Sequence, residues 1–484
     1  MSPLSIALII VAYFAVLVGI SMLTSRKANN QSFFNGNRQS PWYVIAIGMV
    51  GTSISGVTFI SVPGWVVTDQ FSYIQMVLGF LVGYMVVANV LLPLYYRLNL
   101  TSIYTYLNIR LGFWSYKTGA SFFLISRIIG AAFRLFLVSL VLQTLIFDKI
   151  NVPFWITVTG TIGLIWLYTN RGGVKTIIWT DLIQTIAMLL GVVLCVVLVA
   201  DALHITSLGQ MVHVVRTSEF SRVWFFDDPS SKHYFWKQFM AGVFIPIVMT
   251  GLDQDMMQKN LSCRSLADAK KNMYWYSFMF LPINLIFLIM GALLAIYAQK
   301  SGIGIPAQTD NLFPLIATGG YLHAALGICF VIGVVAAAYS SADSALTALT
   351  TSFTVDILEA DKKGEVKLGS VRRIVHVFMS LVLIATIILF KYINDDAVIK
   401  AIYTVAGYTY GPLLGLYAFG LLTKLKVRDY LVPLAAVIAP ILCFVASIYF
   451  RIGFELLIYN GIATFGLMLL FSIGMNSSKR LGKV

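Results

Sequence analysis

The chain has 484 residues, of which 59% are hydrophobic and only 11% are charged, and its mean hydropathy is +0.85. One soluble core cannot bury this much apolar surface, so the composition excludes a soluble globular protein and predicts an all-α polytopic membrane protein. The formal net charge of +14 could indicate a nucleic-acid or anionic-lipid partner, so the positions of the basic residues must decide.

Apolar stretches of about 20 residues, the length that crosses a hydrocarbon core of ~30 Å, predict thirteen transmembrane helices in a single transport domain, 1–484. The first is interpreted as an extra N-terminal helix rather than a signal peptide, because its positive residues follow the apolar stretch. The polar segment 201–235 is interpreted as an external loop. The predicted helices lie near 3–23, 41–66, 71–96, 116–146, 154–170, 176–200, 236–258, 270–299, 320–356, 372–394, 399–423, 428–450 and 453–474.

The basic residues concentrate in alternate connections between these spans. By the positive-inside rule, this pattern places the N-terminus outside and the C-terminus in the cytoplasm of a plasma (inner) membrane protein, which requires an odd number of spans. The basic excess is therefore topological, and no nucleic-acid partner is expected. The residues that carry the argument include Arg26, Arg38, Arg97, Arg110, Arg171, Lys175, Lys259, Arg264, Lys362, Arg372, Lys424 and Lys479.

Two predicted spans are interrupted. Gly51 to Thr58 put small and hydroxyl residues in the middle of the second span, and Pro246 and Gly251 bracket the centre of the seventh. Exposed backbone is tolerated at membrane depth only where it lines a cavity or binds a ligand, although Gly and Ser can also simply let helices pack closely. Breaks five spans apart predict two inverted five-helix repeats. The predicted units are 41–200 and 236–423 for the repeats and 428–474 for two C-terminal helices.

The ninth span carries a polar cluster within an apolar helix. Ser340 and Ser344 are four residues apart, Ser341 lies beside them, and Asp343 is one turn beyond Ser340, so their oxygens can converge. Hard cations prefer oxygen ligands, and an ionisable residue at this depth indicates a functional site. We find no phosphate-binding loop of the kind that would indicate an ATP-driven pump. We also find no combination of nucleophile and base that would indicate an enzyme.

Two arginines lie within the fourth span. Arg127 and Arg134 are seven residues apart, hence on nearly one helical face and about 10 Å apart along the axis. A buried guanidinium needs a partner, and a bidentate carboxylate is the natural one. Either the arginines bind the carboxylate of a solute, or they are structural and pair with backbone carbonyls or with an acidic residue of the protein.

Four segments, read in order, resemble the sodium:solute symporter family along nearly the whole chain. They are TSISGVTFISVP in the second span, GGVKTIIWTDLIQT at the sixth, GLDQDMMQKNLSCRSLADAKKN after the seventh and AAAYSSADSALTALTTSFTVDIL in the ninth. The first run looks closest to the bacterial sialic acid and monocarboxylate branch. The resemblance implies an amino-acid/sodium symporter-like fold, Na⁺ as the coupling ion and no other cofactor. The expected partners are the solute, Na⁺ and the lipid bilayer.

The resemblance also implies cation ligands. The family's sodium site matches Gly51, Ile54, Ala337, Ser340 and Ser341 here; the alternative is that both serines bond back to their own helix. A second cation site of some members matches Asp181, Ser340 and Ser344. Asp343 departs from the family's serine or alanine, and two adjacent carboxylates repel unless a cation or proton lies between them. Asp181, Asp343 and Ser344 are therefore predicted to form a stronger second cation site, or one shared between a cation and a proton. Asp343 could instead face a cytoplasmic water cavity or pair with a lysine.

The solute site is implied less completely. By resemblance, Ser53, Ser55 and Thr58 offer hydroxyls to the solute and Tyr73 forms a wall or gate, whereas the arginine of the sialic acid branch aligns with Gly130. The chain also departs from the family at Val77 and Pro246, where members have polar residues, and at Met249, where members have an aromatic gate. These features lead to one prediction, a sodium-coupled symporter of a small organic anion such as a sialic acid or another carboxylate. Two alternatives stay open: a symporter of a neutral sugar, polyol or vitamin, and a proton-coupled transporter, channel or sensor.

Overall fold

The computed structural model describes residues 3–26, 28–393, 398–450 and 452–475, so the predicted cytoplasmic Lys479 lies outside the described residues. Within these ranges the regular structure is helical. In chain order the helices are α1 Pro3–Thr24, α2 Asn30–Asn35, α3 Trp42–Ser53, α4 Gly56–Asp69, α5 Tyr73–Arg97, α6 Thr105–Arg110, α7 Phe113–Leu142, α8 Phe154–Thr169, α9 Val174–Ala202, α10 Leu208–Thr217, α11 Phe235–Gly251, α12 Gln254–Asn260, α13 Leu266–Lys300, α14 Leu312–Thr318, α15 Ala324–Ile357, α16 Glu365–Ile393, α17 Val398–Leu422, α18 Val432–Tyr449 and α19 Leu456–Ser472.

Each predicted membrane-spanning range coincides with one of these helices or with a bent pair of them. Eight of the described helices are long and apolar enough to cross a membrane, or up to ten if each bent pair counts as one span. The structure therefore supports a multi-pass helical membrane protein, and the count of thirteen spans stays a prediction. The shorter apolar helices are Ile10–Thr24, Phe154–Thr169 and Leu456–Ser472.

Both interrupted spans are bent. Helices α3 and α4 meet at 60°, and the break falls at Ile54 and Ser55, which adopt non-helical backbone angles. Helices α11 and α12 meet at 71°. This second break lies at Leu252 and Asp253, just beyond the predicted Gly251. The Asp253 carboxylate fixes its position, because it caps α12 by accepting from the backbone N–H of Asp255 at 2.9 Å and of Met256 at 3.2 Å.

Close backbone packing brings α9 against the first break. An added Cβ at Gly51 would lie 2.1 Å from Thr185 Oγ1, and one at Gly48 would lie 3.0 Å from Asp181 Cβ. Only small residues allow two membrane helices to approach this closely. The two glycines of α3 therefore set Asp181 beside the point where the second span breaks.

The predicted basic connections meet at one end of the helices. Arg38 donates to the carbonyl of Leu100 at 3.1 Å, and Arg110 donates to the carbonyl of Thr423 at 2.7 Å. Connections widely separated along the chain thus share one end, as the alternation of charge requires. Which membrane face this end occupies stays a prediction.

Asp429 caps α7 from a distant part of the chain. Its carboxylate accepts from the backbone N–H of Trp114 at 2.7 Å and of Ser115 at 2.8 Å. Gly112, with a φ of +141°, leaves room for it, since an added Cβ would come within 2.6 Å of the Asp429 carboxylate.

We expect Asp429→Ala to lower the free energy of unfolding by about 0.5–2 kcal/mol, the usual cost of losing a helix cap. The decrease should appear as a lower apparent Tm of the purified protein. Asp429→Asn keeps an acceptor oxygen and should lose less; an unchanged Tm for the alanine variant would contradict the role of Asp429 as a cap.

Candidate functional site

The polar cluster of the ninth span lies on α15, and all of its members are buried. Ser341 Oγ donates to the backbone carbonyl of Thr52 at 2.9 Å, beside the break of the second span. Ser340 Oγ donates to Asp181 Oδ1 at 2.6 Å. In the structure these two hydroxyls thus reach to neighbouring helices instead of bonding back to their own.

The predicted carbonyl ligands occupy the same place. Gly51 and Ile54 flank Thr52 in α3 and at its break, and Ala337 precedes Ser341 by one turn of α15. All are buried. The fold thus brings the break and the serine pair together as the sequence predicts. Coordination of Na⁺ by these particular oxygens stays a prediction.

Asp181 forms an ion pair with the buried side chain of Lys259. Lys259 Nζ lies 2.6 Å from Asp181 Oδ2 and 2.5 Å from Thr52 Oγ1. The interpretation of Lys259 as a loop residue is wrong, because it belongs to α12 and is only 3% exposed. The bend at Asp253 directs α12 into the protein, which places Lys259 beside the sixth and second spans.

Asp343 lies next to this pair without contacting the lysine. Its Oδ2 accepts from the Tyr168 hydroxyl at 2.9 Å, and its Oδ1 accepts from the Ser344 backbone N–H at 2.6 Å. Ser344 Oγ lies 3.3 Å from Asp343 Oδ1 and 3.4 Å from Asp181 Oδ2. One hydroxyl therefore stands between the two carboxylates, and the hydrogen bonds of Asp343 come from Tyr168 and Ser344 rather than from a lysine.

A separate small cavity lies between α7, the end of α11 and α17. Both predicted arginines line it. Arg127 is buried and forms an ion pair with Asp255, with Asp253 Oδ2 at 3.7 Å. Arg134 is half-buried on the wall. The lining residues are Ser126, Arg127, Ile129, Gly130, Arg134, Met249, Val405, Ala406 and Tyr410.

A short chain of hydroxyls starts at the first break. Ser53 Oγ lies 2.6 Å from the Tyr276 hydroxyl, which lies 2.8 Å from the Tyr84 hydroxyl. Tyr73 packs against Trp65, with ring centroids 5.6 Å apart. The predicted substrate residues thus form two sets. The two arginines line the cavity, whereas the four residues with hydroxyl side chains are not among its lining residues; these are Ser53, Ser55, Thr58 and Tyr73.

The sequence prediction missed several residues that complete these clusters. Lys259 and Asp255 are the main ones, and they are four residues apart in the segment just after the second break. Charges that follow a broken membrane helix so closely were a usable signal, because a bend can return the next turn to the protein interior. The other missed partners are Thr52, Tyr168, Asp253 and Tyr276.

Bent membrane helices with a buried oxygen cluster at one bend define the class of ion-coupled solute transporters. The chain belongs to the sodium:solute symporter family, whose model matches residues 33–427. The family and the relatives described next are transporters, which supports a transport role rather than an enzymatic one.

Relatives include the human sodium/iodide cotransporter, 23% identical over 84% of this chain and 62% of its own length. The rabbit (Oryctolagus cuniculus) sodium-dependent multivitamin transporter is 27% identical over 78% of this chain and 59% of its own length. The chain thus spans about three fifths of these two relatives. The Proteus mirabilis sodium/sialic acid symporter SiaT is 24% identical over 84% of this chain and 82% of its own length.

Solved structures agree in fold. A substrate-bound, outward-open Na⁺-coupled sialic acid symporter superposes with a TM-score of 0.84 at 19% identity, covering 98% of this chain and 99% of that one. A nucleobase-cation-symport-1 family transporter superposes with a TM-score of 0.53 at 15% identity, covering 92% and 93%. The TM-scores establish the fold, and identities this low leave the solute undefined.

Proposed function

We propose that the protein is a sodium-coupled secondary active symporter that takes up a small organic anion, such as a sialic acid or another carboxylate, across the plasma (inner) membrane. Arg134 on the wall of the cavity carries the proposal. A guanidinium can bind a carboxylate bidentately, and a half-buried position strengthens that contact relative to bulk water. The sialic acid symporters among the relatives support the same solute class.

Arg127 has a different part in this proposal. Its charge is matched by Asp255, with Asp253 nearby, so in this proposal it orients the wall of the cavity. Tyr410 lines the cavity and donates to Asp253 at 2.5 Å. The ion pair ties the break of the seventh span to α7, and the Tyr410 hydrogen bond ties it to α17; these two helices form the other walls.

The cation cluster supplies the coupling. Na⁺ held by Ser340, Ser341 and the carbonyls at the first break would join α15 to the second span. A ligand that binds one conformation better shifts the population toward it, and the effect is reciprocal between ion and solute. Sodium entering first from outside thereby favours the solute-competent, outward-open state, and weak cytoplasmic sodium then lets both leave. The N-terminus lies outside in this scheme.

Uptake into proteoliposomes tests the proposal. An inward Na⁺ gradient should drive uptake of a sialic acid or a monocarboxylate, and Arg134→Met should reduce it about 10- to 150-fold, because a hydrogen bond to a charged group contributes about 1.5–3 kcal/mol. Arg134→Lys keeps the positive charge but lacks the planar guanidinium that can bind a carboxylate bidentately. Its uptake should therefore lie between that of the wild type and that of Arg134→Met. Acid uptake that is unchanged in Arg134→Met, or independent of Na⁺, would refute the proposal.

A second candidate function is sodium-coupled uptake of a neutral solute. The Arg127–Asp255 ion pair favours it, since it shows that one of the two arginines is neutralised internally. In the same assay this alternative predicts uptake of a neutral sugar, polyol or vitamin alone, with little effect of Arg134→Met.

A further inference from the structure

We propose that the Lys259 ammonium is a tethered cation that takes the place of a second Na⁺ at Asp181, so that the transporter binds a single Na⁺. The inference deepens the proposed function and rests on it. Where the sequence predicts a second cation site built from Asp181, Asp343 and Ser344, the structure places a positive charge supplied by the chain itself.

The contacts of Lys259 are those that a bound cation would make. Its ammonium lies 2.6 Å from the Asp181 carboxylate and 2.5 Å from the Thr52 hydroxyl. The Lys259 and Asp181 side chains are 4% and 1% exposed, so water cannot replace either partner. A buried carboxylate needs a counter-charge, and here the counter-charge is fixed to α12.

Both oxygens of the Asp181 carboxylate also accept hydrogen bonds from hydroxyl groups. Ser340 Oγ donates to its Oδ1 at 2.6 Å, and Thr52 Oγ1 lies 3.2 Å from its Oδ2. A Na⁺ ion at Asp181 would have to displace these donors and stand beside the ammonium, where two positive charges repel strongly because the surroundings are poorly screened. The ion pair therefore blocks a second ion while leaving Ser341 and the carbonyls of the first break to the first site.

The charges at Asp181 also argue against an ion there. Asp181 and Lys259 carry opposite charges that cancel within the buried pair. A Na⁺ ion added at this pair would leave an uncompensated positive charge in the interior, which is unfavourable.

The test counts bound ²²Na⁺ per chain by equilibrium dialysis of the purified full-length protein in nanodiscs, with Na⁺ itself as the probe. We expect one Na⁺ for the wild type and for Lys259→Arg, which keeps the tethered charge. Lys259→Met should bind two, since Asp181 then needs a mobile cation, and Lys259→Met/Asp181→Asn should return to one.

Two bound Na⁺ in the wild type, or a folded Lys259→Met that still binds one, would overturn the inference while leaving sodium coupling intact. If Lys259→Met does not fold, the wild-type count decides alone, one in favour and two against. Absence of bound Na⁺ in every variant would refute the sodium-coupled function, and this inference with it.

Discussion

Replacing Asp255 with asparagine is expected to lower the stability of the protein by about 3–5 kcal/mol, the usual cost of removing one partner of a buried ion pair. Arg127 and Asp255 are 5% and 2% exposed, so the guanidinium would remain in the interior with the Asp253 carboxylate 3.7 Å away. The apparent Tm of the purified protein, followed by intrinsic fluorescence, measures the effect.

Two controls distinguish the effect of burial on stability from the effect of losing a charge. Arg222 pairs with Asp227 at the surface, with side chains 47% and 72% exposed, so Asp227→Asn should cost at most about 1 kcal/mol. The double variant Arg127→Met/Asp255→Leu removes both buried charges and should recover much of the loss, because apolar replacement of a buried pair is often neutral. Equal effects of Asp255→Asn and Asp227→Asn would show that the buried pair contributes no special stability.

Ser341→Ala should weaken Na⁺ binding about 10- to 150-fold. The variant removes one oxygen next to the proposed ion, and a contact of a polar group with a charge contributes about 1.5–3 kcal/mol. It also removes the hydrogen bond from α15 to the Thr52 carbonyl, which joins the two elements of the site. The Na⁺ concentration that gives half of the maximal thermal stabilisation reports the change, since a ligand of the native state raises its apparent stability.

Thr347 provides the matched control for Ser341. It lies on the same helix and is buried, and within the described part of the chain its Oγ1 has no hydrogen-bond partner. Thr347→Val keeps the shape of the side chain and should leave the Na⁺ dependence unchanged. If Thr347→Val and Ser341→Ala shift the half-maximal concentration equally, the hydroxyl of Ser341 has no specific part in binding the ion.

Much of the architecture follows from local sequence. The apolar ranges correspond to helices and the two bends fall near the Gly- and Pro-containing segments, because hydropathy and backbone chemistry are local properties. The contacts across the site do not follow in this way. Lys259 was counted as a loop charge, and only the bend at Asp253 directs it towards Asp181, 78 residues away in the chain.

The two arginines of α7 also show that a single sequence does not predict contacts between distant residues. Their seven-residue spacing predicts that they share a face, and both indeed line one cavity. The acid that neutralises Arg127 is 128 residues away, so a single sequence gives no means of pairing them. Helical periodicity places residues on a face, but three-dimensional packing decides which charge each face meets.

The hydroxyl chain from Ser53 through Tyr276 to Tyr84 has a consequence for selectivity. Either oxygen of each pair can be the donor, so the direction of the whole chain can reverse when its protons rotate, with no movement of heavy atoms. A solute group that reached Ser53 would meet a donor or an acceptor as it required. Such a contact has reversible polarity and cannot distinguish an alcohol from a carboxylate, so discrimination between solutes is left to groups whose charge is permanent.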